Sequence, residues 1–190
     1  MEHADVVIIG GGAAGLMCAI AAGQRGRDVV VLEGSNKVGK KILMSGGGRC
    51  NFTNLHTEPS RFLSENVHFC KSALSRYTQW DFISLVEKHG IAYHEKTLGQ
   101  LFCDESSKDI VAMLVSECEE AKVRILTHCA DTEVTGNDGF KVNCSKGSFG
   151  CTSLVIATGG LSIPKMGASD FGYRLARQFS LRILDTSAGL

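Results

Sequence analysis

The chain has 190 residues, 44% of them hydrophobic and 21% charged, with a formal net charge of zero. That balance suits a globular protein with one core or little more, gives no electrostatic case for nucleic acid or an anionic membrane as partner, and contains no apolar run near the roughly 20 residues of a bilayer span. The start, Met1-Glu2-His3-Ala4-Asp5, is acidic and lacks the form of a signal peptide, so a cytoplasmic protein with reduced thiols is expected.

Residues 5–9 (DVVII) form a short apolar run that ends at three Gly, as a buried parallel strand does. Residues 13–24 are Ala-rich and helical, and Gly26 stops them. Residues 28–32 (DVVVL) read as a second buried strand, which completes a β-α-β unit. Gly10, Gly12 and Gly15 fall in G-x-G-x-x-G spacing directly between strand and helix, the context that gives the motif its meaning. Gly10 permits the tight turn, Gly12 lets a pyrophosphate approach the backbone, and Gly15 lets the helix pack close to the sheet. The helix N-terminus offers unpaired N–H groups to phosphate. Glu33 closes the second strand about 20 residues on, where an acid is expected to meet ribose hydroxyls and to repel a 2′-phosphate.

Residues 34–54 read as a long loop, and loops of that length are usually functional. Three consecutive Gly, Gly46-Gly47-Gly48, suggest backbone crossing close to a flat ligand. Arg49 behind them would neutralise a phosphate or an anionic reduced flavin. Asn51 and Asn54 are expected to cap a following helical turn. Cys50 is read mainly as structural filler, with a thiol of lowered pKa as the alternative. Apolar residues at helical spacing over 61–89 predict two helices broken near Tyr77-Thr78 and stopped by Gly90, with Tyr77, Trp80 and Phe82 as a core or interface stripe.

Residues 91–95 and 100–103 read as two short strands joined at Leu98-Gly99. Residues 107–122 read as an amphipathic helix capped by Ser106 or Ser107, with Ile110, Val111, Leu114 and Cys118 on one face and Glu117, Glu119 and Glu120 in solvent. After a strand at 124–126, residues 131–135, 140–144 and 148–151 alternate like an antiparallel meander turning at Asn137-Asp138-Gly139. Residues 153–157 (SLVIA) are again a buried strand, followed by Thr158-Gly159-Gly160, and 171–179 are helical. None of the eight Cys stands in C-x-x-C spacing and His68, His89, His94 and His128 show no ligand spacing, so no metal site is expected.

An apolar strand ending in A-T-G, long after the first fingerprint and preceded by a β meander, resembles the two-dinucleotide-binding-domain flavoproteins of the glutathione reductase type. The strings KKILMSGGGRCNFTN (40–54) and IATGGLSIPKMGASDFGYRLARQF (156–179) are similar to the bacterial flavoprotein family called YhiN-like or BaiN-like, NAD(P)/FAD-dependent oxidoreductases that include aminoacetone oxidase-family members. The resemblance implies an α/β fold. Its core is a Rossmann-type parallel sheet, a glutathione reductase-like FAD-binding domain, with a β meander and a helical and small-sheet insertion between about Phe62 and Leu126. It implies FAD contacts from Gly10, Gly12, Ala13, Ala14, Gly15, Glu33, Ser45, Gly46, Gly47, Gly48, Arg49, Cys50, Asn51, Val134, Thr158, Gly159 and Gly160. NAD(P)H would serve as reductant and a small organic molecule or oxygen as acceptor. Ser180 stands where Gly is expected.

In that family a second domain follows and the chain then returns to complete the flavin site. Residues 1–190 are therefore expected to be one incomplete FAD-binding domain, with apolar surface that promotes homo-oligomers. Two alternatives stay open: a fragment that folds and binds FAD weakly without turnover, and a plain NAD-dependent dehydrogenase. No catalytic acid or base is named by the sequence.

Overall fold

The structure, a computed structural model, describes residues 1–136, 138–161 and 169–186. Asn137 of the expected turn, and residues 162–168 of the second family string, lie outside them. In chain order the elements are β1 (Glu2–Ile9), α1 (Ala13–Gly23), β2 (Val29–Leu32), α2 (Lys40–Met44), β3 (Asn51–Asn54), α3 (Lys71–Arg76), α4 (Gln79–Lys88), β4 (Tyr93–Glu95), β5 (Gln100–Cys103), α5 (Ser107–Glu120), β6 (Arg124–Leu126), β7 (Glu133–Thr135), β8 (Phe140–Cys144), β9 (Gly147–Ile156) and α6 (Phe171–Gln178). They fall into two compact units, Met1–Lys41 with Leu114–Leu184, and Ile42–Met113.

The first unit holds a six-stranded sheet in the order β6-β2-β1-β9-β8-β7. β1 pairs in parallel with β2 on one side and β9 on the other, and β2 pairs in parallel with β6. β8 and β7 extend the sheet antiparallel. Val7, Ile8 and Ile9 and all four residues of β2 are buried, so both faces are covered and the strands read as unbroken apolar runs. Leu16, Ala19 and Ile20 of α1 are buried with them, and the Cys118 thiol donates to the Leu16 carbonyl at 3.8 Å. Burial of each such aliphatic side chain contributes about 1.5–3 kcal/mol.

Two strand boundaries differ from the sequence reading. β1 starts at Glu2, because Glu2, His3 and Ala4 find partners in Phe149, Gly150 and Cys151. β9 is one strand where 148–151 and 153–157 read as two. Exposed Thr152 broke the apolar pattern without breaking the chain direction. The first part of β9 pairs with β8, while β1 follows it from Phe149 to Ile156.

The α6 C-terminus closes with Ser180 N–H donating to the Arg177 carbonyl at 2.9 Å and Leu181 N–H to the Ala176 carbonyl at 2.8 Å. This is a Schellman ending, and Ser180 sits at φ +56° where glycine is favoured. Ser180→Gly is expected to stabilise the chain by about 1 kcal/mol. A chemical denaturation midpoint that stays put or falls would contradict that.

The second unit holds a three-stranded sheet ordered β3-β5-β4, antiparallel throughout. It begins at Ile42, not near Phe62, and ends inside α5, not at Leu126. The expected loop over 34–54 contains α2 and β3. NFTN carries no apolar run, and its strand is defined by pairing with β5. Asn51 and Asn54 therefore sit in a strand and cap no helix. Asn54 instead accepts His56 N–H at 2.8 Å. Phe52 of β3 packs against Phe82 of α4 at 6.0 Å and edge-on against Tyr93 at 5.5 Å.

Thr78 breaks α3 from α4 as expected, through a reciprocal capping box with Asp81. The helical reading of 61–70 fails. After a short 3-10 turn at Pro59–Arg61, α-helix starts only at Lys71, and Phe62, Leu63, Val67 and Phe69 are exposed, so no packing rewards their spacing. Tyr77 and Trp80 are exposed too, while Phe82 is half-buried. In α5 the cap is Ser106, whose hydroxyl accepts Lys108 N–H at 3.2 Å. The buried face is Ile110, Met113, Leu114, Glu117 and Cys118. Val111 is half-buried, and Glu117, read as solvated, is 3% exposed.

Candidate functional site

The sheet order reverses at β1, with β2 on one side and β9 on the other, and ligands of open α/β sheets bind beyond the strand ends at such a point. Gly10 follows β1 at φ +111°. A Cβ there would overlap the Ala157 carbonyl just beyond β9, since the two strand ends are tied by Ala157 N–H donating to the Ile9 carbonyl at 2.8 Å. A Cβ on Gly15 would run into the Gly10 carbonyl oxygen, which is how closely α1 seats on the turn. A Cβ on Gly12 would meet nothing within 4 Å. Gly12 is the N-cap of α1 with no side chain capping it, and the first turn carries no acid. The opening N–H groups of α1 therefore have no intrahelical acceptor and face a space that an anion can enter. Ala13 and Ala14, in that turn, are exposed.

Glu33, half-buried after β2, organises this turn. One carboxylate oxygen accepts Gly11 N–H at 2.7 Å and the other accepts Ser35 N–H at 2.8 Å. The Gly11 carbonyl accepts Gly39 N–H at 2.8 Å, and Val38 is buried close against Gly11. Gly11, Ser35 and Val38 escaped the sequence reading because the fingerprint treats Gly11 as a free position. Val38, the one aliphatic side chain among residues 34–39, was the available signal. Across the switch point the Thr158 hydroxyl is buried without a hydrogen-bond partner among the described residues, and Gly159 has φ +77°. The structure thus brings together Gly10, Gly12, Ala13, Ala14, Gly15, Glu33, Thr158 and Gly159 around one sheet end, with Gly160 following. Val134 lies elsewhere in this unit, in β7. Its side chain is buried and its carbonyl accepts Gln178 Nε2 at 2.7 Å, beside a cavity of about 320 Å³ lined by β7 and α6.

The Ser45–Asn51 segment belongs to the second unit. The Ser45 hydroxyl donates to the Ile42 carbonyl at 2.7 Å, and Cys50 N–H returns to the Ser45 carbonyl at 3.1 Å. Gly46, Gly47, Gly48 and Cys50 all have positive φ, 57°, 67°, 90° and 51°. A Cβ on Gly46 would strike the Phe102 ring, whereas Gly47 and Gly48 face open space. Arg49 is exposed and has no carboxylate partner among the described residues. The fold acts on Cys50 in the direction opposite to the lowered-pKa alternative. Burial pushes its thiol up, against a smaller opposing hydrogen bond from Ser45.

Burial, then the nearness of Cys50, pushes Cys103 up to about 12. The fold favours its neutral form. That contribution is complete below the unfolded thiol pKa of about 8.5 and is lost as pH rises through the folded value. Cys18, Cys70 and Cys144 are half-buried, while Cys50, Cys103, Cys118, Cys129 and Cys151 are buried. Alkylation of the folded chain is expected to label the first three ahead of the other five, read by peptide mass mapping. Early labelling of Cys103 would contradict this burial. Among the described residues no cluster of His, Cys, Asp and Glu could hold a metal, and no helix is long and apolar enough to cross a membrane.

The residues present fit a dinucleotide. An uncapped helix start, room over Gly12 and an orphaned Thr158 hydroxyl share the switch point. A crevice so built, beside a β meander that flows straight into the A-T-G strand, defines an FAD-binding Rossmann domain of the flavin-dependent oxidoreductase class. Residues 4–189 match the family described as the HI0933-like protein Rossmann domain, and the chain belongs to that family.

The whole chain is 58% identical over 191 residues to a ribosomal RNA dihydrouridine synthase of Escherichia coli, covering 48% of that protein. Over 174 residues, 90% of the chain, it is 29% identical to a 3-dehydro-bile acid delta(4,6)-reductase of Clostridium scindens, covering 42% of it. The chain spans about half the length of the curated relatives it matches. Glycine oxidase of Geobacillus kaustophilus shares the fold with a TM-score of 0.63 at 15% identity, over 96% of this chain and 60% of that one. A flavocytochrome c3 fumarate reductase does so at 0.62 and 18%, over 93% and 40%.

Proposed function

We propose that the protein containing this chain reduces a conjugated carbon–carbon double bond by flavin-mediated hydride transfer, and that its substrate is a uridine base in ribosomal RNA. The observation that carries the substrate is the 58% identity along the entire chain to a ribosomal RNA dihydrouridine synthase. The bile-acid reductase is more distant, yet its name also describes saturation of double bonds in a conjugated ring system. FAD supplies the hydride acceptor and donor chemistry. The chain's own residues do the holding: the opening amides of α1 take the pyrophosphate, Glu33 the ribose of the adenosine, and the Thr158 hydroxyl a polar atom of the bound group. Arg49, with no carboxylate partner among the described residues, takes a negative charge on cofactor or substrate. NAD(P)H is the external reductant, and the site of action is the cytoplasm.

This reading sets aside the expectation that nucleic acid is no partner. Zero net charge measures the sum over this chain and is silent on a binding surface elsewhere in a longer protein. The test deletes the gene in its own cell and measures dihydrouridine in digested ribosomal RNA by mass spectrometry. The nucleoside is expected to fall and to return with the wild-type gene but not with an Arg49→Ala copy. A yellow purified protein with an unchanged dihydrouridine level would sink the substrate and spare the cofactor. A colourless protein after FAD incubation would sink both.

A further inference from the structure

Two thiols outside the dinucleotide crevice are held near each other by the chain beside them. Cys129 lies between β6 and β7, and Cys144 ends β8. The residues just after them are clamped together. Ser145 N–H donates to the Ala130 carbonyl at 3.0 Å, and the Ser145 hydroxyl accepts Ala130 N–H at 3.0 Å and donates to the His128 carbonyl at 2.8 Å. Cys129 is 3% exposed within the core, and half-buried Cys144 packs against that same cluster. Burial pushes the Cys129 thiol up to about 11, with neighbouring Cys144 the next influence, and the thiol donates to the Leu126 carbonyl at 3.3 Å. On its other side the Cys144 sulfur accepts Lys146 N–H at 3.4 Å.

We propose that Cys129 and Cys144 are a peroxide-sensitive pair that closes into a reversible disulfide. Cys144, the more accessible thiol, reacts first. Its sulfur attacks one oxygen of a hydroperoxide and the O–O bond breaks. The second oxygen leaves with the thiol proton, as water when the oxidant is hydrogen peroxide. The Cys129 sulfur then attacks the resulting sulfenic sulfur. The S–S bond forms, the S–O bond breaks, and the departing hydroxide takes the Cys129 proton as water. Two thiols lose two electrons and one peroxide gains them. Cys129 N–H also donates to the Glu33 carbonyl at 3.0 Å, so the new bond staples the meander to the strand end that carries Glu33.

Trypsin cuts after Arg124, Lys141 and Lys146, which puts the two cysteines on separate peptides, 125–141 and 142–146. Treating the whole chain with hydrogen peroxide, blocking free thiols and digesting without reductant is expected to give these two peptides joined. Their mass would be the sum less two hydrogens, and they would separate with dithiothreitol. Cys144→Ser should abolish the product, and Cys129→Ser should leave a sulfenic acid on Cys144 that dimedone traps. The proposal is overturned if either peptide couples to another cysteine instead, or if Cys144 goes on to the sulfinic acid while Cys129 is still alkylated. The wild-type digest decides this whether or not the variants fold.

Discussion

Gly15→Val is expected to unseat α1 and strip the protein of flavin together. Even a Cβ at this position overlaps the Gly10 carbonyl oxygen, a backbone atom that no rotamer change can move. Either α1 slides outward or the Gly10 turn opens. Both separate the helix's opening amides from the strand end that carries Thr158. Overpacking of this kind costs about 3 kcal/mol, or a fall in Tm of roughly 6–12 °C for a chain of this size. Thermal melts and the flavin absorption band of the purified variant check it. An unchanged melt with flavin retained would mean that α1 does not rest on this turn.

Glu33→Ala should weaken FAD retention more than Glu33→Gln does. The alanine leaves Gly11 N–H and Ser35 N–H, both part-buried, without acceptors, at about 1–3 kcal/mol each. Glutamine keeps one acceptor oxygen but presents an amide NH2 to the other N–H. With the turn loosened and the sugar acceptor gone, the alanine variant's FAD affinity is expected to drop about 10–100-fold, since each 1.4 kcal/mol is tenfold. Fluorescence titration of the apoprotein with FAD reads it. Equal affinity for both variants and wild type would show that the carboxylate serves the loop and not the cofactor.

The dinucleotide end of the site was legible because local chemistry dictates it. A strand, three glycines, an Ala-rich helix and an acid have one common geometric solution, and Gly10, Gly15 and Glu33 sit where that solution requires. At Ser180 the expectation of glycine came from the family resemblance, and the left-handed helix end supplies its physical reason. What failed depended on remote partners. β3 is invisible in NFTN because β5 makes it a strand. The Phe62–Phe69 region carries a helical period that no neighbouring surface rewards. Glu117 is a polar residue on a face whose burial is set by packing, and sequence alone assigns it to water. The bracing of the turn by Glu33 through Gly11 and Ser35 needed coordinates because loop amides carry no signature in the side-chain sequence.

The pairing of β1 with β9 has a consequence for birth on the ribosome. The first strand described is apolar toward its end, and one of its two partners, β9, is the last of the described strands to be made. At 5–20 residues per second, on the order of ten seconds pass before that edge can close. Until then an adhesive ribbon of Val6, Val7, Ile8 and Ile9 waits with only β2 beside it. Slow, non-local closure of this sort exposes a nascent chain to aggregation, so soluble yield should respond to translation speed and to chaperone supply more than native-state stability alone would indicate.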